Sequence, residues 1–279
     1  MSSDLLWERL TDELAWIIDE YRGVAGVRLV ELNSGRRVDI NGGVVLAAGS
    51  TIKVPVLMEL CRKHDRGELD LDEPYTLTED DMVGGSGVLQ RLEGEVTLTL
   101  RNLAILMINV SDNIGTNICI DRAGMEDVNE LLEGIGCHDT RLQRRMIDWE
   151  AVVAGHENIS TARDMVRWLE VLYHGGWQSR EVCDAVLSVL RKPKNTPIRE
   201  ALPMDVPLAG KTGGLEGVRC EVGLVELEQS PYILGVMTAF GMDGDNSAVI
   251  TRLAGTVHGY LDTLDRFTEQ GRGLPRRPR

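Results

Sequence analysis

Leu6, Leu10, Leu14, Ile17, Ile18 and Tyr21 recur at helical spacing, with Glu8, Asp12, Glu13, Asp19 and Glu20 between them. This pattern predicts an amphipathic helix lying on a core. The period then falls to two. Residues 27–32 are rich in β-formers, Asn33, Ser34 and Gly35 supply a turn, and Val38 and Ile40 alternate with Arg37, Asp39 and Asn41, so a β-hairpin follows the helix. A Gly- and Ala-rich stretch, 42–49, leads into a second helical pattern carrying Val54, Leu57, Met58 and Cys61. From there to about Lys194 the helical period dominates, through 98–110, 114–123, 128–132, 163–173 and 181–190, and no convincing strand is legible.

After the breaker cluster 192–197 the alternation returns. Val218, Cys220, Val222 and Leu224 alternate with Arg219, Glu221 and Gly223, and 232–240 is a mostly apolar run that fits a central strand. Asp245 or Asn246 can cap a last helix with the apolar face Val249, Ile250, Leu253, Val257 and Leu261. The order predicts an α/β (α+β) fold. Its sheet draws strands from both chain ends (1–49 and 196–279), terminal helices cover it, and an all-helical subdomain (50–195) is inserted between. Such a design leaves a cleft at the subdomain seam, where sites commonly form. Residues 270–279, with Arg272, Arg276, Arg277 and Arg279 among Gly273, Pro275 and Pro278, are expected to be a disordered basic tail.

Composition narrows the classes of partner. Thirty Lys and Arg against 44 Asp and Glu leave a net charge of −14 over 279 residues, which repels a polyanion and argues against nucleic-acid binding. No apolar run approaches the roughly 20 residues that cross a bilayer, and the acidic N-terminus lacks the basic and apolar regions of a signal peptide. Cys61, Cys119, Cys137, Cys183 and Cys220 are odd in number and widely spaced, and read as reduced structural thiols of a cytoplasmic protein. The five histidines show no metal-ligand spacing, so neither a metal nor another cofactor is expected. Oligomeric state is not legible.

Three short motifs carry chemistry. Ser50 and Lys53, in Ser50-Thr51-Ile52-Lys53, begin a predicted helix, and their i to i+3 spacing puts a hydroxyl nucleophile and a potential base on one face. A helix N-terminus also supplies free N–H groups and a positive dipole end that favour a developing oxyanion. Ser111, Asp112 and Asn113 fall at a junction between helices, where they can act as a cap or as a proton-relaying hydroxyl with an orienting amide. Lys211 and Thr212 precede Gly213 and Gly214 beside a strand, where a cation and a hydroxyl can bind a carboxylate and the glycines let a substrate approach the backbone. Gly210-Lys211-Thr212 also resembles the end of a P-loop, but Asp205 stands where that pattern requires Gly, and a strand rather than a helix follows.

In this order, and with separations of 61 and 100 residues between Ser50, Ser111 and Lys211, the S-x-x-K, SDN and KTG elements resemble those of the class A β-lactamases and, more widely, the penicillin-recognising serine hydrolases. The segments 84–89 (GGSGVL) and 160–165 (STARDM) are similar too, so the resemblance covers about residues 15–265. It implies an antiparallel sheet and a small-molecule acyl substrate, such as a β-lactam. Ser50 would be the acylated nucleophile, Lys53 its activating neighbour, Ser111 the proton relay to the leaving nitrogen, and Asn113 a contact to the substrate amide and to Lys53. Lys211 and Thr212 would hold the substrate carboxylate, beside Gly213. The N–H groups of Ser50 and Gly214 would form the oxyanion hole.

The family's water-activating Glu sits in a segment resembling R-W-E-x-x-L-N. Here Asp148-Trp149-Glu150 is followed by Val153 and Ala154 where Leu and Asn are expected. Glu150 is the expected equivalent, with Asp148 a competitor and Glu157 with Asn158 a weaker one. Three functions therefore stand side by side. They are a β-lactam hydrolase, a cytoplasmic D,D-peptidase-like esterase or amidase with slow or Glu-independent deacylation, and a penicillin-binding sensor that turns nothing over.

Overall fold

The amphipathic N-terminal pattern folds as helix α1 (Ser2–Glu20) in a computed structural model that describes residues 2–274. The hairpin follows as β1 (Val24–Glu31) and β2 (Arg37–Ile40), and a two-residue strand β3 (Leu46–Ala47) leads to a 3₁₀ turn, Gly49–Ile52, that runs into α2 (Lys53–Asp65). The inserted block is helical as expected. It comprises α3 (Leu100–Asn109), α4 (Asn113–Ala123), α5 (Met125–Gly134), the short α6 (Trp149–Val153), α7 (Ala162–His174) and α8 (Arg180–Leu190). A four-residue helix α9 (Pro197–Glu200) then precedes β7 (Leu208–Leu215), β8 (Val218–Val225), β9 (Tyr232–Ala239) and the last helix α10 (Asp243–Arg266).

The inserted block does contain strands. The pair β4 (Pro74–Thr76) and β5 (Thr97–Thr99) forms a ribbon, and β6 (Ile159–Ser160) pairs with β3. Two or three residues are too few to display an alternation, which is why the sequence did not reveal them. Thr99, expected inside a helix, instead caps α3 by accepting from Asn102 N at 3.2 Å.

The sheet has the order β2-β1-β9-β8-β7 and is antiparallel throughout. Its centre, β9, is buried along all eight residues because both faces are covered. Leu234 and Val236 join Leu10, Leu14, Ile250 and Leu253 in a core beneath α1 and α10, whereas Ile233 and Met237 join Met165, Val166 and Leu187 in the larger core of the helical block. Strand β7 forms one edge of the sheet, beside the 3₁₀ turn that carries Ser50.

Two terminal expectations change. The last helix starts at Asp243, and neither Asp245 nor Asn246 caps it: Met242 is the N-cap residue, without a side-chain bond. Asn246 lies inside the first turn and is fully buried, where it accepts from the Tyr21 hydroxyl and donates to Gly241 O at 3.2 Å. It therefore ties α10 to the end of α1. Of the expected disordered tail, residues 270–274 turn back on the end of α10, with Thr268 N donating to Arg272 O at 2.8 Å and Leu274 N to Arg266 O at 2.8 Å. The rest of that segment, 275–279, lies outside the described residues.

Leu253 is fully buried between α10 and the sheet. Leu253→Ala should lower stability by about 3 kcal/mol through lost burial and a residual cavity, read as a lower urea midpoint with an unchanged slope.

Candidate active site

Ser50 owes its position to a single carbonyl. Ala48 O accepts from Thr51 N at 3.1 Å, Thr51 Oγ1 at 2.6 Å and Cys220 Sγ at 2.8 Å, so the turn bearing Ser50 is tied to strand β8. Gly213 on β7 passes so close that a Cβ there would stand 2.7 Å from Ser50 N and 2.9 Å from Ala48 O; only glycine fits. In a 3₁₀ turn, side chains three residues apart eclipse, which aligns Ser50 with Lys53, the first residue of α2.

Lys53 is fully buried. Its Nζ donates to Ser111 O at 2.8 Å, Ser111 Oγ at 3.1 Å and Asn113 Oδ1 at 3.1 Å and, among the described residues, forms no hydrogen bond with Ser50. Ser111 sits at φ +56°, a left-handed conformation uncommon for a residue other than glycine, and so presents both its carbonyl and its hydroxyl to the same amine. Asp112 does what the cap reading of this tripeptide requires. Its Oδ1 accepts from Gly115 N at 3.0 Å at the start of α4, while Oδ2 accepts from Val88 N at 2.6 Å and Leu89 N at 2.9 Å. The cap falls to Asp112, while the Ser111 hydroxyl and the Asn113 amide both face Lys53. Asn113 Nδ2 donates to Gly84 O at 3.1 Å, and its N–H to Ser86 O at 3.0 Å, which draws the 84–87 loop to the site.

Lys211 reaches the same hydroxyl from the opposite side. Its Nζ donates to Ser111 Oγ at 3.1 Å and to Thr212 O at 2.7 Å, and it is 1% exposed. Burial, and then the charge of Lys194, push Lys211 down to about 7. Burial and then the charge of Lys211 hold Lys53 well below the ordinary lysine value. Both effects favour release of a proton from the Lys53 amine, which lies one 3₁₀ turn from the Ser50 hydroxyl. Such a pair can remove a proton as the hydroxyl attacks an acyl carbon.

Ser50, Ser86, Ser111, Thr212, Gly213 and Gly214 all border one cavity lobe of about 360 Å³. Arg219 borders it too. It lies opposite Gly214 in the β7–β8 register and places a guanidinium beside that glycine, a contribution that its position in an alternating strand concealed. Knowledge of the strand pairing was needed to find it.

A second lobe of about 360 Å³ shares Ser50 and Gly214 and extends beneath the 141–160 loop. The neck of that loop is closed by Asn158, whose Oδ1 accepts from Gln143 N at 2.7 Å and Arg144 N at 3.1 Å, and by an ion pair of 2.7 Å between Arg144 and Glu157. Glu150 does not reach the cavity. Asp148 is the N-cap of α6, accepting from Ala151 N at 2.9 Å, so Glu150 falls in the first turn of a short surface helix, and it is exposed. Asp148 and Glu157 do border the lobe, together with Met146, Ile147, Trp149 and Val152.

Fold and cluster together define a serine–lysine protein of the S-x-x-K class. The chain belongs to the Beta-lactamase enzyme family, whose family model matches residues 9–261. It is similar to a β-lactamase of Rhodobacter capsulatus, with 27% identity over 156 residues that span 56% of this chain and 53% of that protein. The crystal structure of a β-lactamase from Sphaerobacter thermophilus superposes with a TM-score of 0.84 at 28% identity, covering 92% of this chain and 98% of that one. The fold is also that of PBP-A, a mutant of which, in an acyl-enzyme complex with penicillin G, aligns with a TM-score of 0.83 at 24% identity over 91% and 97% of the two chains.

The coupling between the lysines has a sign that can be measured. In a ¹³C NMR titration of reductively methylated protein, Lys211 should lose its proton near pH 7 and Lys53 well below the ordinary lysine range. Lys211→Met removes a positive neighbour and should raise the midpoint of Lys53. An unmoved midpoint would mean that burial alone sets it.

Proposed function

We propose that this protein is a serine hydrolase that opens the amide of β-lactams through an acyl-enzyme at Ser50. The observation that carries the reading is the convergence of Lys53 and Lys211 on the hydroxyl of Ser111, in a cavity that Ser50 also borders. Ser50 Oγ attacks the lactam carbonyl carbon as its proton passes to the Lys53 amine, whose proton affinity burial lowers. The N–H groups of Ser50 and Gly214 hold the oxyanion. The proton then travels through Ser111 Oγ to the leaving nitrogen, the C–N bond breaks and the acyl group stays on Ser50 as an ester. Asn113 orients Lys53 and the substrate amide, while Lys211, Thr212 and Arg219 hold the substrate carboxylate.

The names borne by the relatives, β-lactamases and a penicillin-acylated PBP-A, support β-lactams as the substrate class. Five buried, unpaired cysteines support a reducing, cytoplasmic setting. Among the described residues no helix is long and apolar enough to cross a membrane.

Intact-protein mass spectrometry after mixing with penicillin G tests the central step. The wild type should gain one full penicillin mass, Ser50→Ala should gain none, and Lys53→Ala should acylate roughly 10²–10⁴-fold more slowly. An adduct on Ser50→Ala would remove Ser50 from the reaction. Arg219→Ala should lower kcat/KM for a carboxylate-bearing β-lactam roughly 10- to 100-fold, chiefly through KM, as expected for the loss of a charged hydrogen bond worth about 1.5–3 kcal/mol. A neutral ester of the same β-lactam should be nearly indifferent to the change.

A further inference from the structure

Release of an acyl group from Ser50 requires a water molecule to lose a proton as its oxygen attacks the ester carbon. The groups available to take that proton are those bordering the lobe beneath the 141–160 loop. Three carboxylates border it, Asp148, Glu157 and Glu216. Each is engaged elsewhere or stands apart. Glu157 Oε1 accepts from Arg144 Nε at 3.1 Å, Arg144 Nη2 at 2.7 Å and Asn158 N at 2.8 Å, and so closes the loop's neck. Asp148 holds the start of α6. Glu216 is exposed at the tip of the β7–β8 turn.

Met146 borders this lobe and is fastened to the helix that carries Asn113. Asn117 stands four residues after Asn113 in α4, hence on the same helix face and one turn, about 5.4 Å, away. Asn117 fastens both backbone polar groups of Met146: Met146 N donates to Asn117 Oδ1 at 2.7 Å, and Asn117 Nδ2 donates to Met146 O at 3.2 Å. Asn113 meanwhile binds Lys53. One helix face thus links Met146 to the Lys53–Ser111 cluster, and Met146, 9% exposed, borders the cavity shared with Ser50 and Asn113. A two-point amide clamp of this kind sets a side chain in place, yet the side chain it sets is a thioether that cannot accept a proton at neutral pH.

We propose that Met146 sets the lifetime of the Ser50 acyl-enzyme, by occupying with an apolar side chain the position from which a carboxylate would activate the deacylating water. This rests on the acyl-enzyme reading above. With Met146 in place the ester persists. With glutamate in its place the carboxylate takes a proton from water, the water oxygen bonds to the ester carbon, the C–Oγ bond breaks, Ser50 Oγ regains a proton and the product leaves as the free acid.

The test is single-turnover mass spectrometry of wild type, Met146→Glu and Asp148→Asn with penicillin G, which reads adduct formation and adduct decay separately. The wild-type adduct should outlast its formation by orders of magnitude. Met146→Glu should shorten its half-life by roughly 10²–10⁴-fold, the usual range for a placed general base. Asp148→Asn keeps a capping side chain and should leave the half-life within about twofold. A wild-type adduct that decays as fast as it forms, or that Asp148→Asn prolongs tenfold or more, overturns the proposal. So does a folded Met146→Glu protein, by circular dichroism, that acylates but releases no faster than wild type. Should Met146→Glu fail to fold, the wild-type and Asp148→Asn arms decide alone. If the wild type forms no adduct, the acyl-enzyme reading itself fails, a result distinct from each of these.

Discussion

Two lysine amines buried within hydrogen-bonding distance of one serine hydroxyl are the constraint around which this molecule is arranged. Taking an ammonium group out of water costs several kcal/mol even after relaxation, and a second positive group nearby adds to the cost. The fold surrounds the amines with hydroxyl, carbonyl and amide oxygens, and the cost shows as proton affinities held below the ordinary lysine range. The consequence is an amine that releases its proton more readily than an exposed lysine, which an ion pair would have prevented. Lys53 comes from the inserted helical block and Lys211 from an edge strand of the sheet, so the cluster exists only where the two parts of the chain meet. Ser111, in its left-handed conformation, is the joint between them.

The same economy appears in the backbone around Ser50. Gly213 allows β7 to press against the 3₁₀ turn, and Ala48 O gathers donors from the turn itself and from Cys220 across the sheet. Position is thus enforced by close approach of main chains rather than by side chains directed at Ser50. A hydroxyl held this way keeps its own bonding capacity for an incoming carbonyl, which is the geometry acyl transfer rewards.

Much of this was legible in the residues. The shift from helical to alternating period and back marked a sheet built from both chain ends, and the order of S-x-x-K, SDN and KTG named six side chains that the structure gathers into one cavity region. What stayed hidden required knowledge of pairing or loop path. Arg219 reads as the polar half of an alternating strand until its register opposite Gly214 is known. Glu150 attracted attention by its neighbours in sequence, yet Asp148 starts a helix there and turns Glu150 outward. Met146 carries no chemical signature at all, and only the amide clamp from Asn117 marks its position. The capping of α10 was misread because Asn246 has a better partner in Tyr21, more than two hundred residues earlier in the chain.

That last separation recurs on a larger scale. Strand β1 pairs along its whole length with β9, joining Val24 to Ala239 and Glu31 to Tyr232. At roughly 5–20 residues per second of synthesis, β1 leaves the ribosome on the order of ten to forty seconds before its central partner exists. Through that interval Val27 and Leu29 have only α1 to cover them, and one edge of the hairpin has no strand to pair with. The centre of the sheet can therefore close only after almost the whole polypeptide has been made. Assembly is governed by pairing between the two ends of the chain, and newly made protein depends on whatever shields that first hairpin during the wait.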